Sequence, residues 1–330
     1  VSEERAVRHI VYAQAIRTAL REEMRRDERV VLWGEDIGVY GGVYGATTGL
    51  QHEFGPERVR DAPISEAAIV GMAVGAAMLG MRPVVEIMYE DFLAQASDAL
   101  VNQAAKWHYM TGGQFTLPLV VRSPGGGGAG YAAQHSQNLE AWFTHVPGLK
   151  VIAPCMPRDA RGLLKSAIRD DNPVLFLEHK AHYEYKGDTP REEELIPIGV
   201  ADVKREGTDV TVVSWLKTLV FALEAAEKLA QEGISVEVVD PRTLLPLDID
   251  TIIRSVEKTG RLVVAHEAYA FGGFGAEIAA EVCERAFGAL KAPPKRVGSK
   301  FTPLPYSEPM ESYVIPDADD IATAVQAVLQ

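Results

Sequence analysis

Short aliphatic runs alternate with segments of helical periodicity along almost the whole chain, and no other feature restricts its fold as tightly. Val30–Trp33, Pro83–Tyr89, Leu117–Arg122, Leu149–Ala153 and Val174–Leu177 are apolar and bounded by turn formers, as strands buried on both faces are. Helical spacing fills the gaps at 7–27, 65–80, 91–111 and 158–169. Parallel strands need crossovers and helices supply them, so the predicted class is α/β, a mostly parallel sheet covered on both faces. The pattern lapses over residues 180–198, where charge and turn formers collect, and resumes near Gly199. There strands Val210–Trp215, Ser235–Val239 and Leu262–Ala265 alternate with helices at 219–231, 249–256 and 275–287, and a last helix starts at Asp319. A chain of 330 residues accommodates two domains at roughly 150 residues each. The expected division is 1–185, a linker at 186–198, and 199–330.

Charge and cysteine content remove several functional classes. Lys and Arg number 33 against 46 Asp and Glu, a formal charge of −13, which disfavours nucleic acid as a partner. Cys155 and Cys283 are the only cysteines, too few for a disulfide framework or a cysteine zinc site, and they fit a reducing compartment. The apolar charge-free run Ala67 to Met81 is shorter than the roughly 18 to 20 residues that span a bilayer, so no membrane association is expected. The first residues, Val1–Arg5, are charged and show no secretory signal.

Three segments carry candidate chemistry. Gly125, Gly127 and Gly130 satisfy G-x-G-x-x-G after a predicted strand. The next strand offers no acid for a ribose hydroxyl and Gly130 opens no helix, so a loop beside an active site competes with a nicotinamide or flavin site. Glu66 follows Pro63 and Ser65 at the start of a helix that is apolar all round, and a buried helix is expected there. A first-turn acid complements the helix dipole; once buried, it also becomes able to share a proton with a ligand nitrogen. Gly71 and Gly75 on that helix let another backbone approach closely. His135 lies in the irregular stretch after the glycines, where catalytic groups are often presented and lone histidines are often merely solvated. His179 and His182 are three apart at a strand end, a spacing that sends strand side chains to opposite faces rather than to one metal.

Several motifs in fixed order identify a resemblance: Trp33-Gly-Glu-Asp-Ile-Gly38, Gly41-Gly42-Val-Tyr, Ala62-Pro-Ile-Ser-Glu66, Gln134-His-Ser-Gln137, Pro147-Gly-Leu-Lys150, Asp240-Pro-Arg-Thr-Leu and Pro246-Leu-Asp-Ile-Asp-Thr. Over nearly its whole length the chain resembles the beta subunit of the thiamine-diphosphate-dependent, decarboxylating first component of 2-oxo acid dehydrogenase complexes. The resemblance implies a pyrimidine-binding domain followed by a transketolase C-terminal-like domain. It implies that Glu66 hydrogen-bonds the aminopyrimidine ring of thiamine diphosphate, that Phe92 packs on that ring and Ile64 lines the same pocket, and that Glu35 belongs to an acidic path between two active sites. His135 matches the histidine that assists acyl transfer to a lipoyl arm. Leu119, Ala167, Ile168, Asp170 and Asn172 match a potassium site built largely of backbone oxygens.

No Gly-Asp-Gly occurs in the chain, so the magnesium and diphosphate motif of thiamine enzymes is missing. The resemblance assigns that half, magnesium included, to an alpha subunit in an alpha2beta2 heterotetramer. The reaction implied is oxidative decarboxylation of a 2-oxo acid and reductive acylation of a lipoyl-bearing acyltransferase, in the cytoplasm or a mitochondrial matrix. Phe92 favours pyruvate- or acetoin-type relatives over branched-chain ones, which tend to carry tyrosine there. Gln95 stands where relatives place another acidic-path glutamate and Gly45 where they place arginine. A noncatalytic docking subunit is the alternative from another class.

Overall fold

The computed structural model describes residues 7–330; Val1–Arg5, read above as free of a secretory signal, lies outside the described residues. The chain divides into two compact units, residues up to Gly125 with Trp142–Ile198, and Gly126–Ala141 with Gly199–Gln330.

The first unit begins with β1 (Val7–Val11), α1 (Tyr12–Arg26), β2 (Val30–Gly34), α2 (Leu50–Phe54), β3 (Val59–Asp61), α3 (Glu66–Met78) and β4 (Arg82–Glu86). It continues through α4 (Leu93–Ser97), α5 (Ala105–Met110) and β5 (Val120–Gly125). After the short helix α6 (Glu140–Thr144) come β6 (Lys150–Ile152), α7 (Pro157–Arg169), β7 (Val174–His179) and β8 (Lys186–Pro190). Six of its strands lie in the order β6-β7-β5-β4-β2-β3, each parallel to its neighbours, while β1 and β8 pair apart from them. Burial drives this arrangement: every residue of β2, β4, β5 and β7 is buried. Helices α1 and α7 press Ile16, Leu20, Met24, Leu163 and Leu164 into the core on one side.

Four local expectations give way. Residues 7–11 are strand rather than the first turns of a helix, because Val7, Ile10 and Val11 are β-branched and pair antiparallel with β8, from Val7 opposite Pro190 to Val11 opposite Lys186. The 186–198 stretch expected as linker therefore contains a strand, and it belongs to the first unit. The helix expected over 91–111 is broken: a 3₁₀ turn (Glu90–Phe92) precedes α4 and a π-type segment (Asp98–Ala104) separates α4 from α5. Helix α3 is not buried all round; Ala67, Ala68, Gly71, Met72 and Gly75 form an exposed apolar face that continues to Leu79, 88% exposed.

The second unit contains β9 (Asp202–Arg205), β10 (Val210–Ser214), α8 (Thr218–Gln231), β11 (Val236–Asp240), β12 (Thr243–Leu245), α9 (Ile249–Thr259) and β13 (Leu262–Tyr269). α10 (Gly275–Ala286), β14 (Lys295–Ser299), α11 (Glu308–Val314) and α12 (Ala318–Leu329) complete it. The sheet order is β14-β13-β10-β11-β9, with only β9 antiparallel to its neighbour. The central strands are the ones the apolar runs predict. Edge strands β9 and β14 carry Asp-Val-Lys-Arg and Lys-Arg-Val-Gly-Ser, charged sequences that edges tolerate and that hide strand periodicity.

Candidate active site

In the parallel sheet of the first unit, the carboxyl ends of β2, β4, β5 and β7 share one edge, the usual place for a ligand in such a fold. Acids gather there. Glu35 directly follows β2 and Glu86 ends β4. Glu66 opens α3, which is tied to β2 by the Trp33 indole N–H donating to the Ile69 carbonyl at 2.9 Å. Glu66 is 4% exposed, so this first-turn acid is buried at the helix start. Glu35, also buried, leaves Oε1 without a partner. Burial, then the nearby acids Glu66, Asp36 and Glu86, push its pKa above the ordinary glutamate value.

Behind this edge lies an ion cluster that sequence reasoning missed. Arg122, 1% exposed, donates from Nη1 to Glu86 Oε2 at 2.7 Å and from Nη2 to Glu178 Oε2 at 2.8 Å. The Tyr183 hydroxyl donates to the same Glu178 oxygen at 2.6 Å and its ring stacks on Tyr44 at 4.5 Å. Burial raises the Glu86 pKa, Arg122 opposing and Glu178 adding. Two carboxylates face one guanidinium, so the cluster keeps negative potential beside Glu35. The available signal was a charged residue inside the apolar strand sequence Val-Val-Arg-Ser-Pro-Gly.

The remaining expected positions are scattered. Phe92 is half-buried at the end of the 3₁₀ turn, edge-on to Tyr89 at 5.7 Å between ring centres. Ile64 is 82% exposed. Beside it, on the outer side of α3, an apolar cavity of 310 Å³ is lined by residues including Trp33, Pro63, Met72 and Met81. Leu119 lies close to the turn after α7, since Val174 N–H donates to the Leu119 carbonyl at 2.8 Å. Arg82 donates to the carbonyls of Ile168 (2.8 Å) and Asp170 (2.7 Å), while the Asp170 carboxylate pairs with Lys150 and accepts from Asn172. Burial raises the Asp170 pKa, but those donors outweigh it and hold the carboxyl below its ordinary value. His182 Nε2 lies 2.9 Å from the Cys155 carbonyl and His179 Nδ1 accepts from Ala181 N–H, so each ring has a partner of its own. Among the described residues no group of three or more His, Cys, Asp or Glu side chains is placed to hold a metal.

The glycine loop and His135 belong to the second unit. No helix opens at Gly130, in keeping with a loop rather than a nucleotide fingerprint. Gly127 N–H donates to Glu267 Oε1 at 2.6 Å, Gly128 N–H to Glu311 Oε1 at 2.8 Å, and Gly130 N–H to Glu311 Oε2 at 3.1 Å. His135 is half-buried within the loop. Beyond it, burial pushes the Glu140 pKa up to about 7, opposed by the Trp215 indole N–H at 3.4 Å and reinforced by Glu267. His266 stacks on Trp215 at 5.0 Å, and burial lowers its pKa to about 4. Glu140, Glu267 and Glu311 are the second set of acids that periodicity could not single out.

The transketolase pyrimidine-binding domain matches residues 8–186 and the transketolase C-terminal domain matches residues 199–321. Two domains of a thiamine-diphosphate-dependent, transketolase-type enzyme are thereby defined. A solved structure titled "Split gene transketolase, inactive beta4 tetramer" superposes with a TM-score of 0.78 at 25% identity, covering 97% of this chain and 98% of the other. The pyruvate dehydrogenase E1 component subunit beta of Rickettsia bellii (strain RML369-C) is 49% identical over 97% of this chain and 98% of its own. The 2-oxoisovalerate dehydrogenase subunit beta of Bacillus subtilis (strain 168) is 45% identical with the same coverage. The chain belongs to the family of beta subunits of the first, thiamine-dependent component of 2-oxo acid dehydrogenase complexes. No helix among the described residues is long and apolar enough to cross a membrane.

Proposed function

We propose that this beta chain, with an alpha chain in an alpha2beta2 heterotetramer, catalyses oxidative decarboxylation of a 2-oxo acid, pyruvate foremost, and passes the acyl group to a lipoyl-bearing acyltransferase. The observation that carries the reading is the pair of buried acids at the strand ends, Glu66 at the start of α3 and Glu35 with Oε1 left without a partner, in a chain of this family. Thiamine diphosphate, when bound, supplies an electron sink for loss of carbon dioxide that no side chain provides. Glu66 holds or gives up a proton at its carboxyl toward a pyrimidine nitrogen, and Phe92 packs on that ring. Ile64, exposed here, lines the pocket only when a second chain closes over it. The exposed α3 face, with Gly71 and Gly75, suits the close approach of that chain's helix.

Glu35, its pKa raised by burial and by the nearby acids including Glu66, belongs to the same acidic group. His135 assists transfer toward the lipoyl arm. Magnesium and the diphosphate fall to the alpha chain, because Gly-Asp-Gly is missing here. The carbonyls of Leu119, Ala167, Ile168, Asp170 and Asn172 offer neutral oxygens of the kind that suit potassium. Arg82 engages one lone pair on two of them, and each carbonyl oxygen carries a second. The residence proposed is the cytoplasm, or the mitochondrial matrix in a eukaryote. A branched-chain substrate is the second reading, favoured by the 45% identity to the Bacillus subtilis chain.

Turnover of pyruvate, 2-oxoisovalerate and acetoin by the copurified heterotetramer tests the substrate, and equal rates for all three refute a narrow one. Glu66→Gln should abolish most turnover with the tetramer intact by native mass spectrometry; unchanged turnover refutes the role of Glu66.

A further inference from the structure

We infer that Glu267 and Glu311 are positioning residues for His135: their carboxylates clasp the loop that presents it, and the lipoyl-directed half of the reaction depends on the clasp. The inference deepens the proposed role of His135 and rests on it. Both acids lie in the second unit, away from the thiamine-binding residues of the first in sequence, and no step described so far uses them. They are nevertheless 6% and 3% exposed, respectively. A carboxylate is retained at such a site when hydrogen bonds replace its water. Here the donors are backbone amides of one short loop.

Three amides in four residues point at two acids: Gly127 to Glu267, and Gly128 and Gly130 to the two oxygens of Glu311. The far side of the loop returns to the same carboxylate, the Asn138 amide donating to Glu267 Oε1 at 3.2 Å. The base is closed by Gly126 N–H donating to the Gln137 carbonyl at 3.1 Å. His135 thus sits on a loop fastened before and after it. The fastening is tightly packed: a Cβ on Gly127 would lie 2.7 Å from Ile315 Cδ1 and 2.9 Å from Leu304 Cδ1, so those side-chain ends would have to shift. Between the fastenings the chain turns through Ala132, at φ 60°, with His135 N–H donating to the Ala132 carbonyl at 3.4 Å. Charged acceptors on backbone amides make stronger hydrogen bonds than neutral ones, so they fix the loop's feet while its tip stays accessible. A misplacement of about 1 Å at a reacting group can cost roughly a hundredfold in rate.

The experiment uses the heterotetramer purified with its alpha chain and reads two rates and one local signal. Decarboxylation of pyruvate is followed with an artificial dye as oxidant, reduction of an isolated lipoyl domain is followed separately, and amide hydrogen exchange is measured over residues 126–138. In Glu311→Ala, exchange in that segment should quicken and the ratio of lipoyl to dye rate should fall roughly ten- to a hundredfold. Glu311→Gln keeps one acceptor oxygen and should fall between. A purely structural role would lower both rates together and leave the ratio unchanged, which overturns the inference. Should Glu311→Ala fail to assemble, Glu311→Gln and Glu267→Gln carry the test, and a wild-type ratio in both overturns it. His135→Gln separates the two readings. If it leaves the ratio at the wild-type value, the role of His135 fails and the inference with it; if it lowers the ratio while the Glu311 variants do not, only the clasp fails.

Discussion

Arg122→Met removes the cation between Glu86 and Glu178 while keeping an unbranched side chain of similar length. Both acids are buried, 5% and 0% exposed, and each lies within 2.7 Å of the guanidinium. Breaking a buried pair in this way typically costs about 3–5 kcal/mol, because the acids left behind have neither water nor counterion. In a unit of about 180 residues, each kcal/mol moves the melting temperature by roughly 2–4 °C, so the first unit should melt roughly 10 °C lower at pH 8. The loss should depend on pH. Burial already raises the Glu86 pKa, and loss of Arg122 removes what opposes that rise. An acid whose folded pKa lies above its unfolded value destabilises the fold at high pH and is relieved as pH falls through the folded pKa. The variant should therefore recover toward wild type between pH 8 and pH 5. Scanning calorimetry of the assembled protein at both pH values is the assay. A loss below about 1 kcal/mol at pH 8, or an equal loss at both pH values, refutes the reasoning, since apolar packing alone has no such titration.

Glu140→Gln should stabilise the protein above pH 8 by about 2–3 kcal/mol and change nothing near pH 4, because a carboxyl raised to about 7 by burial destabilises only when charged; melting curves across that range check it. Gly148→Ala should cost more than about 2 kcal/mol, seen as lost soluble yield or a lowered melting temperature, since φ is +94° and a Cβ would lie 1.9 Å from the Ala105 carbonyl oxygen. A Cβ on exposed Gly71 meets no atom within 4 Å in this chain, so Gly71→Leu should leave the beta chain folded by circular dichroism, whereas native mass spectrometry should show loss of the heterotetramer.

What the sequence made legible was set by burial on both faces. β2, β4, β7, β10, β11 and β13 each carry a run of buried Val, Leu, Ile, Ala or aromatic residues, and the alternation of those runs with helices was enough for the fold class. Glu66 was legible because it interrupts an apolar stretch at a helix start. β8 was not, because Lys-Gly-Asp-Thr-Pro is half-exposed and takes its shape from pairing with β1. The exposed face of α3 was equally hidden: an apolar surface left open on a helix has the same composition as one packed into the core. The acids of the second unit escaped notice for a different reason. Glu267 and Glu311 act on a loop more than 100 residues earlier in the chain, and no periodicity links them to it.

The second unit takes in Gly126–Ala141 as well as everything from Gly199 onward, so the chain leaves that unit and returns to it. On the ribosome the glycine loop emerges well before Glu267 and Glu311 exist, and its amides stay with water until the last helices are made. Folding from the N-terminus, the common order for multidomain chains, cannot finish this loop early. No single cut in the chain separates the two compact units either: a fragment starting at Gly199 would carry Glu267 and Glu311 without the loop amides they accept from, and a fragment ending at Ile198 would carry His135 on a loop without those acids.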